Sequence, residues 1–206
     1  MSWKDLVSQL VDKEILKTPD IIRAFNKIDR ANFMTENTKK LAASDVAFPI
    51  GFGQTISQPA TVAFMLEKLQ PRAGNKILDI GFGSGWTSAL LAELVGKTGE
   101  IYSVEIIKKI YETGKENVKK QNYKNVHFFL GSGSQGLPKF APYDRILVSA
   151  AANELPLDLK KQLNSGGKLI IPIGGITQAL ILVERKNKNQ FSEVHYPGFM
   201  FVRLKN

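Results

Sequence analysis

Residues 77–86 read ILDIGFGSGW, a buried-strand pattern that ends in an acid and opens into three glycines with the spacing G-x-G-x-G. A glycine-rich turn after the first strand of an α/β sheet lets a ligand approach the backbone, at the crevice where such folds bind their ligands. Dinucleotide sites use G-x-G-x-x-G, whose third glycine permits close helix packing beside a pyrophosphate. Here that third position is Trp86. The bulk of its indole argues against a pyrophosphate site.

Two carboxylates flank this turn and indicate a different ligand. Asp79 lies just before the turn, where it would meet a positive ligand group better than a phosphate. Glu105 ends the next predicted strand, twenty residues after Gly85, where a carboxylate can accept hydrogen bonds from both ribose hydroxyls. Either acid alone could simply end a strand. Together they predict a Rossmann-like methyltransferase that binds S-adenosylmethionine, which carries an amino group and a sulfonium but no phosphate. The predicted cofactor-binding residues here are Asp79, Gly81, Gly83, Gly85 and Glu105.

Apolar runs alternate with helical patterns along the rest of the chain, which predicts βαβ units and an α/β fold. The sheet is expected to be mainly parallel, with helices on both faces. The C-terminal stretch has two strand-like runs around a polar Lys/Asn turn, which predicts an antiparallel hairpin at the sheet edge. The five predicted core strands are KILDI, EIYSVE, VHFFL, YDRILVSAA and GKLIIPI.

The N-terminal part of the chain is predicted to be helical and then irregular. Trp3, Leu6, Val7, Leu10 and Val11 recur at helical spacing, and a second short helix is expected over residues 19–28. Residues 42–59 are rich in Gly, Pro and Ser without a clean period, which predicts a long functional loop. We expect one domain over residues 1–206, with N-terminal helices and an active-site loop in 1–60 and a Rossmann-like core in 61–206.

Composition narrows the classes of function. The chain has no cysteine, which excludes disulfides, thiolate metal sites and cysteine nucleophiles. His127 and His195 lie far apart, so no metal site is expected. No apolar run is long enough to span a membrane and no signal peptide is recognised, so a soluble cytoplasmic monomer without a membrane partner is expected. The net charge of +9 is interpreted as lysine-rich solvated faces, and a nucleic-acid partner is not expected.

Several motifs resemble, in order and spacing, those of the protein-L-isoaspartate O-methyltransferase family: PIGFGQTISQP, ILDIGFGSGW, IYSVE, GSG, APYDRILVSAAA and GGKLIIPIG. The resemblance runs from about Asp29 to Val202, and the GQTIS segment is its most specific part. It implies a sheet whose strand order at the C-terminal end differs from most methyltransferases. It also implies methyl transfer from S-adenosylmethionine to the free α-carboxylate of L-isoaspartyl residues in damaged proteins or peptides, which initiates repair through a succinimide.

The resemblance also assigns residues to the cleft. It implies that Gln54, Thr55, Ile56 and Ser57 line the cofactor and substrate site, with the hydroxyls of Ser57 and Thr55 in the catalytic role. Ser57 precedes a helix that is expected to begin near Gln58 and Pro59, so its hydroxyl could instead cap that helix.

A second set of positions departs from the family's pattern. Gly131 and Ser132 are placed at the adenine, where the family usually has GDG, so the missing acid predicts weaker cofactor binding. Ala60 stands where a His or Tyr ring is usual, and Arg203 replaces the Pro of an FVPL-like ending. Two alternatives therefore stay open: a methyltransferase acting on another substrate (a peptide aspartate, a small molecule or RNA), and a cofactor-binding protein that has lost catalysis. RNA suits the charge, but aromatic and basic residues are not interleaved.

Overall fold

The computed structural model describes residues 1–205, which begin with two amphipathic helices. In α1 (Trp3–Asp12), the Ser2 hydroxyl accepts a hydrogen bond from the Asp5 N–H while the Asp5 carboxylate accepts one from the Ser2 N–H, a reciprocal cap that fixes the helix start. α2 (Pro19–Lys27) starts with a proline, whose fixed φ suits the first helical position. Both helices match the predicted ranges, because their apolar residues recur at helical spacing and become buried.

The next segment was expected to be an irregular loop, but it contains a small antiparallel hairpin made of β1 (Phe48–Gly51) and β2 (Gln54–Ile56). Its two turn residues, Phe52 (φ 54°) and Gly53 (φ 70°), both adopt the left-handed conformation. This conformation is typical of tight hairpin turns, where Asn-Gly or Asp-Gly is the usual signal. A phenylalanine in the first turn position hides that signal, which explains why the sequence did not indicate the hairpin.

A seven-stranded sheet forms the core, with strand order β5-β4-β3-β6-β7-β8-β9. The first five strands in this order, β5-β4-β3-β6-β7, are parallel to one another. β8 pairs antiparallel with β7, and β9 pairs antiparallel with β8. This confirms the predicted α/β fold with a mainly parallel sheet and a C-terminal antiparallel hairpin. The remaining elements are α3 (Pro59–Leu69), β3 (Lys76–Ile80), α4 (Trp86–Val95), β4 (Glu100–Glu105), α5 (Lys108–Lys120), β5 (Val126–Leu130), β6 (Tyr143–Val148), α6 (Leu157–Lys161), β7 (Leu163–Gly174), β8 (Gln178–Arg185) and β9 (Phe191–Phe199).

The two faces of the sheet are covered unequally. The face that bears Ile77, Ile101 and Leu147 packs against residues of the helices from α1 to α5. The opposite face, with side chains such as Leu78, packs against the short α6, neighbouring 3₁₀ and loop residues, and part of the C-terminal tail. Since successive side chains in a strand alternate between faces, both sets are buried and the strands read as continuous apolar runs. Within residues 1–205, no helix is both long and apolar enough to span a bilayer.

The strand order creates a crevice at the carboxyl ends of β3, β4 and β6. β3 lies between β4 and β6, and the chain crosses from one side of β3 to the other, which is the switch point where such sheets bind ligands. Backbone hydrogen bonds extend the register past the strand ends: the Gly81 N–H donates to the Val104 carbonyl (2.8 Å), and the Ser149 N–H donates to the Ile80 carbonyl (2.9 Å). The start of the glycine turn is therefore fixed by the sheet itself.

Candidate active site

A cavity of about 530 Å³ opens at this crevice. The glycine turn and Glu105 form its floor, the loop that carries residues 54–57 forms one wall, and the C-terminal residues 198–205 form another. Its size lies within the range of small-molecule sites, which runs from about 300 to 1,000 Å³. The site predicted from the glycine motif and the site implied by the GQTIS segment are thus one site.

The three glycines of the turn have different tasks. Gly81 (φ 74°) and Gly83 (φ 53°) line the cavity in left-handed conformations that expose the backbone. Gly85 (φ 91°) does not line the cavity. A Cβ there would lie 2.6 Å from the Gly114 carbonyl oxygen and 2.7 Å from Val118 Cγ2. The prediction that Gly85 contacts the cofactor therefore needs correction, because this residue instead allows α5 to pack against the start of α4.

Asp79 is fully buried behind the turn and is not part of the cavity wall. Its Oδ2 accepts hydrogen bonds from the hydroxyls of Thr87 (3.0 Å) and Ser88 (2.6 Å), while Oδ1 has no partner within residues 1–205. Burial raises the pKa of Asp79 to about 6, although the two hydroxyl donors oppose the shift. The direct contact with a ligand that the sequence suggested is therefore not offered by the side chain in this geometry.

Glu105 lies on the cavity floor with its carboxylate fixed by the backbone. Its Oε1 accepts hydrogen bonds from the N–H groups of Ile106 and Ile107 (2.9 Å each), and its Oε2 accepts one from the Gly83 N–H (3.2 Å). These bonds tie the end of β4 to the glycine turn. A carboxylate offers about four acceptor positions, so this one retains acceptor capacity toward the cavity.

The residues of the GQTIS segment come together on the wall opposite the turn. Gln54, Thr55, Ile56 and Ser57 all line the cavity. The alternative role of Ser57 as a helix cap is not used, since Asp45 Oδ1 accepts the hydrogen bond from the Ala60 N–H (2.8 Å) at the start of α3. In the part of the chain that the structure describes, the Ser57 hydroxyl makes no hydrogen bond. It is therefore free to act on a molecule in the cavity.

Arg30 organises this wall, although the sequence did not mark it as functional. Its side chain is fully buried and lies between the rings of Phe48 and Trp86, with 5.5 and 5.6 Å from the guanidinium carbon to the ring centroids. Burial lowers the pKa of Arg30 to about 10, while the charge of Asp45 opposes the shift. Its guanidinium donates to five carbonyl oxygens of the loop: Ala42 (3.3 Å), Ser44 (3.1 Å), Val46 (2.7 Å), Ile56 (3.3 Å) and Ser57 (2.8 Å).

Trp86 replaces the third glycine of a dinucleotide motif because it joins the N-terminal helices to the turn. Its buried indole meets Trp3 (centroids 5.8 Å apart, 76° between planes) and Phe25 (5.7 Å, 70°) edge to face. One side of the same residue lines the cavity. The indole thus links α1 and α2 to the first residue of α4.

The GSG segment reaches the cavity only in part. Gly131 and Gly133 line it, whereas Ser132 is exposed and does not. The Ser132 hydroxyl lies 3.0 Å from the Ser134 hydroxyl and donates to the Lys205 carbonyl (3.4 Å). The predicted contact of Ser132 with the cofactor is thus not provided by this side-chain position. His127 and His195 belong to no group of metal-ligating side chains within residues 1–205.

The C-terminal tail forms a further wall of the cavity, and none of the site residues predicted from the sequence lies in it. After β9 the chain returns over the crevice, where the Ala151 N–H donates to the Val202 carbonyl (2.7 Å) and the Leu204 N–H donates to the Ala151 carbonyl (2.9 Å). These backbone bonds depend on no particular side chain, so the FVPL-like ending by itself did not show that the tail lies at the cavity.

Comparison with known proteins gives a consistent result. The family model described as protein-L-isoaspartate(D-aspartate) O-methyltransferase (PCMT) matches residues 1–206. A protein-L-isoaspartate O-methyltransferase of Pyrococcus horikoshii is 42% identical over 204 residues, which is 98% of this chain and 92% of the relative. One of Flavobacterium psychrophilum is 42% identical over 199 residues, covering 97% and 92%.

A solved structure adds agreement of the fold. The Plasmodium falciparum protein is described as a protein-L-isoaspartate O-methyltransferase in complex with S-adenosyl-L-homocysteine. It superimposes with a TM-score of 0.89 at 27% identity and covers 100% of this chain and 99% of its own. On the motifs, the fold and these matches, the chain belongs to the protein-L-isoaspartate(D-aspartate) O-methyltransferase family.

Proposed function

We propose that this protein transfers the methyl group of S-adenosylmethionine to the free α-carboxylate of L-isoaspartyl residues in damaged proteins or peptides. One observation carries the proposal: Gln54, Thr55, Ile56 and Ser57 face the glycine turn and Glu105 across a single cavity. A family assignment over the whole chain supports the same activity and the same cofactor.

The residues present fit S-adenosylmethionine. Gly81 and Gly83 expose backbone to a ligand, and Glu105 presents a fixed carboxylate that suits ribose hydroxyls. The floor residues Gly81–Ser84 include no basic side chain for a phosphate. Behind them, the buried carboxylate of Asp79 favours a positively charged ligand group when ionised. When bound, S-adenosylmethionine supplies an electrophilic methyl group on a sulfonium.

The acceptor requires no general base. An α-carboxylate has a pKa of roughly 3.5, so it is already ionised at neutral pH and carries the lone pair that attacks. What this chain must do is hold one carboxylate oxygen in line with the methyl group. We assign this task to the hydroxyls of Ser57 and Thr55, which line the cavity on the wall opposite the turn.

Repair follows from the ester. Methylation turns the carboxyl group into a better electrophile, and the neighbouring backbone amide nitrogen then attacks it and expels methanol to close a succinimide. Hydrolysis of this ring returns a part of the product as normal aspartate. These later steps need no residue of the enzyme, so the cavity only has to bind, orient and exclude water.

The test is transfer of labelled methyl from S-adenosylmethionine to two peptides that differ only in having isoaspartate or aspartate at one position. We expect base-labile label on the isoaspartyl peptide alone. If neither peptide is labelled although cofactor binding is confirmed in parallel, the result contradicts the proposal. Equal label on both would show a less selective carboxyl methyltransferase.

The role of the hydroxyls is tested on the same peptide. We expect Ser57→Ala to lower kcat/KM by about tenfold or more, in the range of one lost hydrogen bond to a charged group. Ser8→Ala, on the exposed face of α1, is the matched control and should leave kcat/KM unchanged. Unchanged kcat/KM in Ser57→Ala and in Thr55→Ala would remove these residues from the catalytic role.

We further propose that the protein acts in the cytoplasm, as a single-domain monomer. Size-exclusion chromatography with light scattering checks its mass in solution. A mass of two or more chains would contradict the monomer.

A further inference from the structure

The cavity has few charged side chains, and its cations lie on the C-terminal wall. Glu105, Arg203 and Lys205 are the charged residues that line it within the described part of the chain. Glu105 is held on the floor by three backbone N–H groups. Arg203 is exposed and forms an isolated bridge with Ala151, just after the end of β6, and Lys205 is exposed as well. Because both cations are exposed, they belong to the mouth of the cavity rather than to its floor.

The guanidinium of Arg203 is held in place. Its Nη1 donates to the side-chain oxygen of Asn153 (2.7 Å) and to the carbonyl of Gly174 (3.0 Å). Within residues 1–205, Nε and Nη2 make no hydrogen bond, so three of the five N–H donors of the guanidinium remain open. A proline, which the family's motif has at this position, could supply none of these donors.

The backbone around Arg203 is equally well fixed. Gln178, at the start of β8, donates through Nε2 to the Phe201 carbonyl (3.1 Å) and accepts the Phe201 N–H through Oε1 (2.7 Å). Together with the bonds between the tail and Ala151, this clamp joins residues 199–203 to the turn at residues 174–178. We call these two segments the rim. Because the rim is fixed, the guanidinium of Arg203 already has a defined position. It therefore loses little conformational entropy when it binds a partner.

The rim also presents apolar side chains to the solvent. Ile176 is 96% exposed and Met200 is 82% exposed, and Met200 lines the cavity mouth. Large apolar side chains next to an anchored cation suit contact with a polypeptide better than with a small polar molecule. The rim therefore has the composition expected where the flanks of a protein substrate would lie.

We propose that Arg203 is a specificity-determining residue that binds an acidic side chain flanking the isoaspartyl residue of the substrate. The inference rests on the proposed function and narrows its substrates to isoaspartyl sites with an Asp or Glu nearby. The reacting carboxylate itself is not the partner, because it must lie between Ser57 and the glycine turn, whereas Arg203 is tied to Asn153 and Gly174 at the rim. The open guanidinium donors match a carboxylate in charge and geometry.

The experiment measures methyl transfer to a set of isoaspartyl peptides that carry either Glu or Gln at one position, scanned from two residues before to two after the isoaspartate. For the wild-type protein we expect kcat/KM to be about fivefold higher with Glu than with Gln at one or more positions, the size of a partly exposed ion pair. The preference should shrink at high salt, since an exposed pair is screened.

The variants separate this contact from general effects. Arg203→Gln should bring the Glu to Gln ratio close to one, Arg203→Lys should restore part of it, and Arg203→Glu should reverse it. Lys188→Gln removes the same charge at the opposite end of β8 and should keep the wild-type ratio. Because each value is a ratio measured on one protein, a loss of overall activity or stability does not alter its meaning.

Two kinds of result overturn the inference, and they differ in what they leave standing. Methylation of every isoaspartyl peptide with no preference for Glu, or a preference that Arg203→Gln retains, overturns the role of Arg203 and leaves the proposed function intact. Methylation of none of the peptides overturns the proposed function and this inference with it.

Discussion

The glycine turn at residues 81–85 and the loop at residues 42–58 face each other across one cavity, but different interactions hold them. The turn continues the parallel sheet, and its backbone bonds to β4 belong to the regular ladder. The loop has only the short β1–β2 hairpin of its own, and a single buried guanidinium joins five of its carbonyl groups. One wall is thus stabilised by many equivalent bonds, and the other depends mainly on one side chain, to which Asp45 adds its bond with the Ala60 N–H.

This difference has a physical consequence for mutation. Removing one bond from a sheet ladder leaves the neighbouring strands in place, because packing on both faces still holds them. Removing the shared donor of a loop leaves several buried carbonyl groups without a partner at once. The floor should therefore tolerate substitutions that do not introduce a clash. The loop wall should instead lose its structure as a whole when its shared donor is removed.

The largest effect is expected from breaking the loop wall. Arg30→Ala should lower the free energy of unfolding by roughly 3–5 kcal/mol, because it leaves buried carbonyl groups unpaired and a cavity between Phe48 and Trp86. Urea denaturation measures the loss. Hydrogen exchange should show that amides of residues 42–57 lose protection while those of β3 and β4 keep it.

Arg30→Lys is the matched variant for this experiment. It keeps the charge but replaces the planar fork by a single ammonium group, so it should recover only part of the stability. Equal loss of protection in the loop and in β3 would show that the two walls unfold together, and the comparison between them would then fail.

A second prediction concerns the charge under the floor. The pKa of Asp79 in the folded protein is raised to about 6 from the ordinary 3.8. A raised acid pKa means that its contribution to stability is fully present below pH 3.8 and is lost as the pH rises through about 6. The Asp79→Asn variant does not lose this stability, because asparagine has no carboxyl group to ionise. Its free energy of unfolding relative to wild type should therefore rise by roughly 2 kcal/mol between pH 4 and pH 7.

Denaturant titrations of both proteins at several pH values measure this difference. Asp158→Asn, which removes an exposed carboxylate on α6, serves as the control. At pH 7 the same Asp79→Asn change should weaken cofactor binding about tenfold, because the ionised carboxylate no longer attracts the ligand's positive charge. A flat difference for Asp79→Asn, or unchanged cofactor affinity, would mean that the buried charge has no part in the site.

The smallest difference is expected between two glycines with a positive φ. Gly85→Ala introduces a Cβ 2.6 Å from the Gly114 carbonyl oxygen, whereas Gly166 (φ 74°) has nothing within 4 Å of its Cβ position. Gly166→Ala should cost about 1 kcal/mol for the backbone conformation alone. Gly85→Ala should cost about 2 kcal/mol more for the clash. Thermal unfolding of the two variants measures the difference, and equal costs would show that α5 moves away without penalty.

Sequence reasoning was most successful where the determining interactions are local. The ranges of β3 and α4 were predicted because apolar run, acid, glycine turn and helix follow one another within twenty residues, and each restricts the next. The C-terminal hairpin was predicted from two strand-like runs around a polar turn. The β1–β2 hairpin was not, because Phe52 takes a left-handed conformation that glycine or asparagine would usually indicate.

The site was predicted less completely than the fold, for a related reason. The residues from Gln54 to Ser57 were placed by resemblance, and they do line the cavity. Arg30 was missed because its partners are main-chain carbonyls 12 to 27 residues away, which any sequence would provide. Gly85 and Asp79 were assigned to the ligand because a motif shows which residues occur together, but not which face of the turn each occupies.

The packing of Trp86 also means that intrinsic tryptophan fluorescence reports on this part of the protein. The chain has two tryptophans, and both belong to one buried aromatic cluster beside the glycine turn. Their emission should be that of an apolar environment in the folded protein and should shift to the red when the N-terminal helices separate from α4. Since Trp86 also lines the cavity, ligand entry and detachment of the helices can be followed in one spectrum without a label.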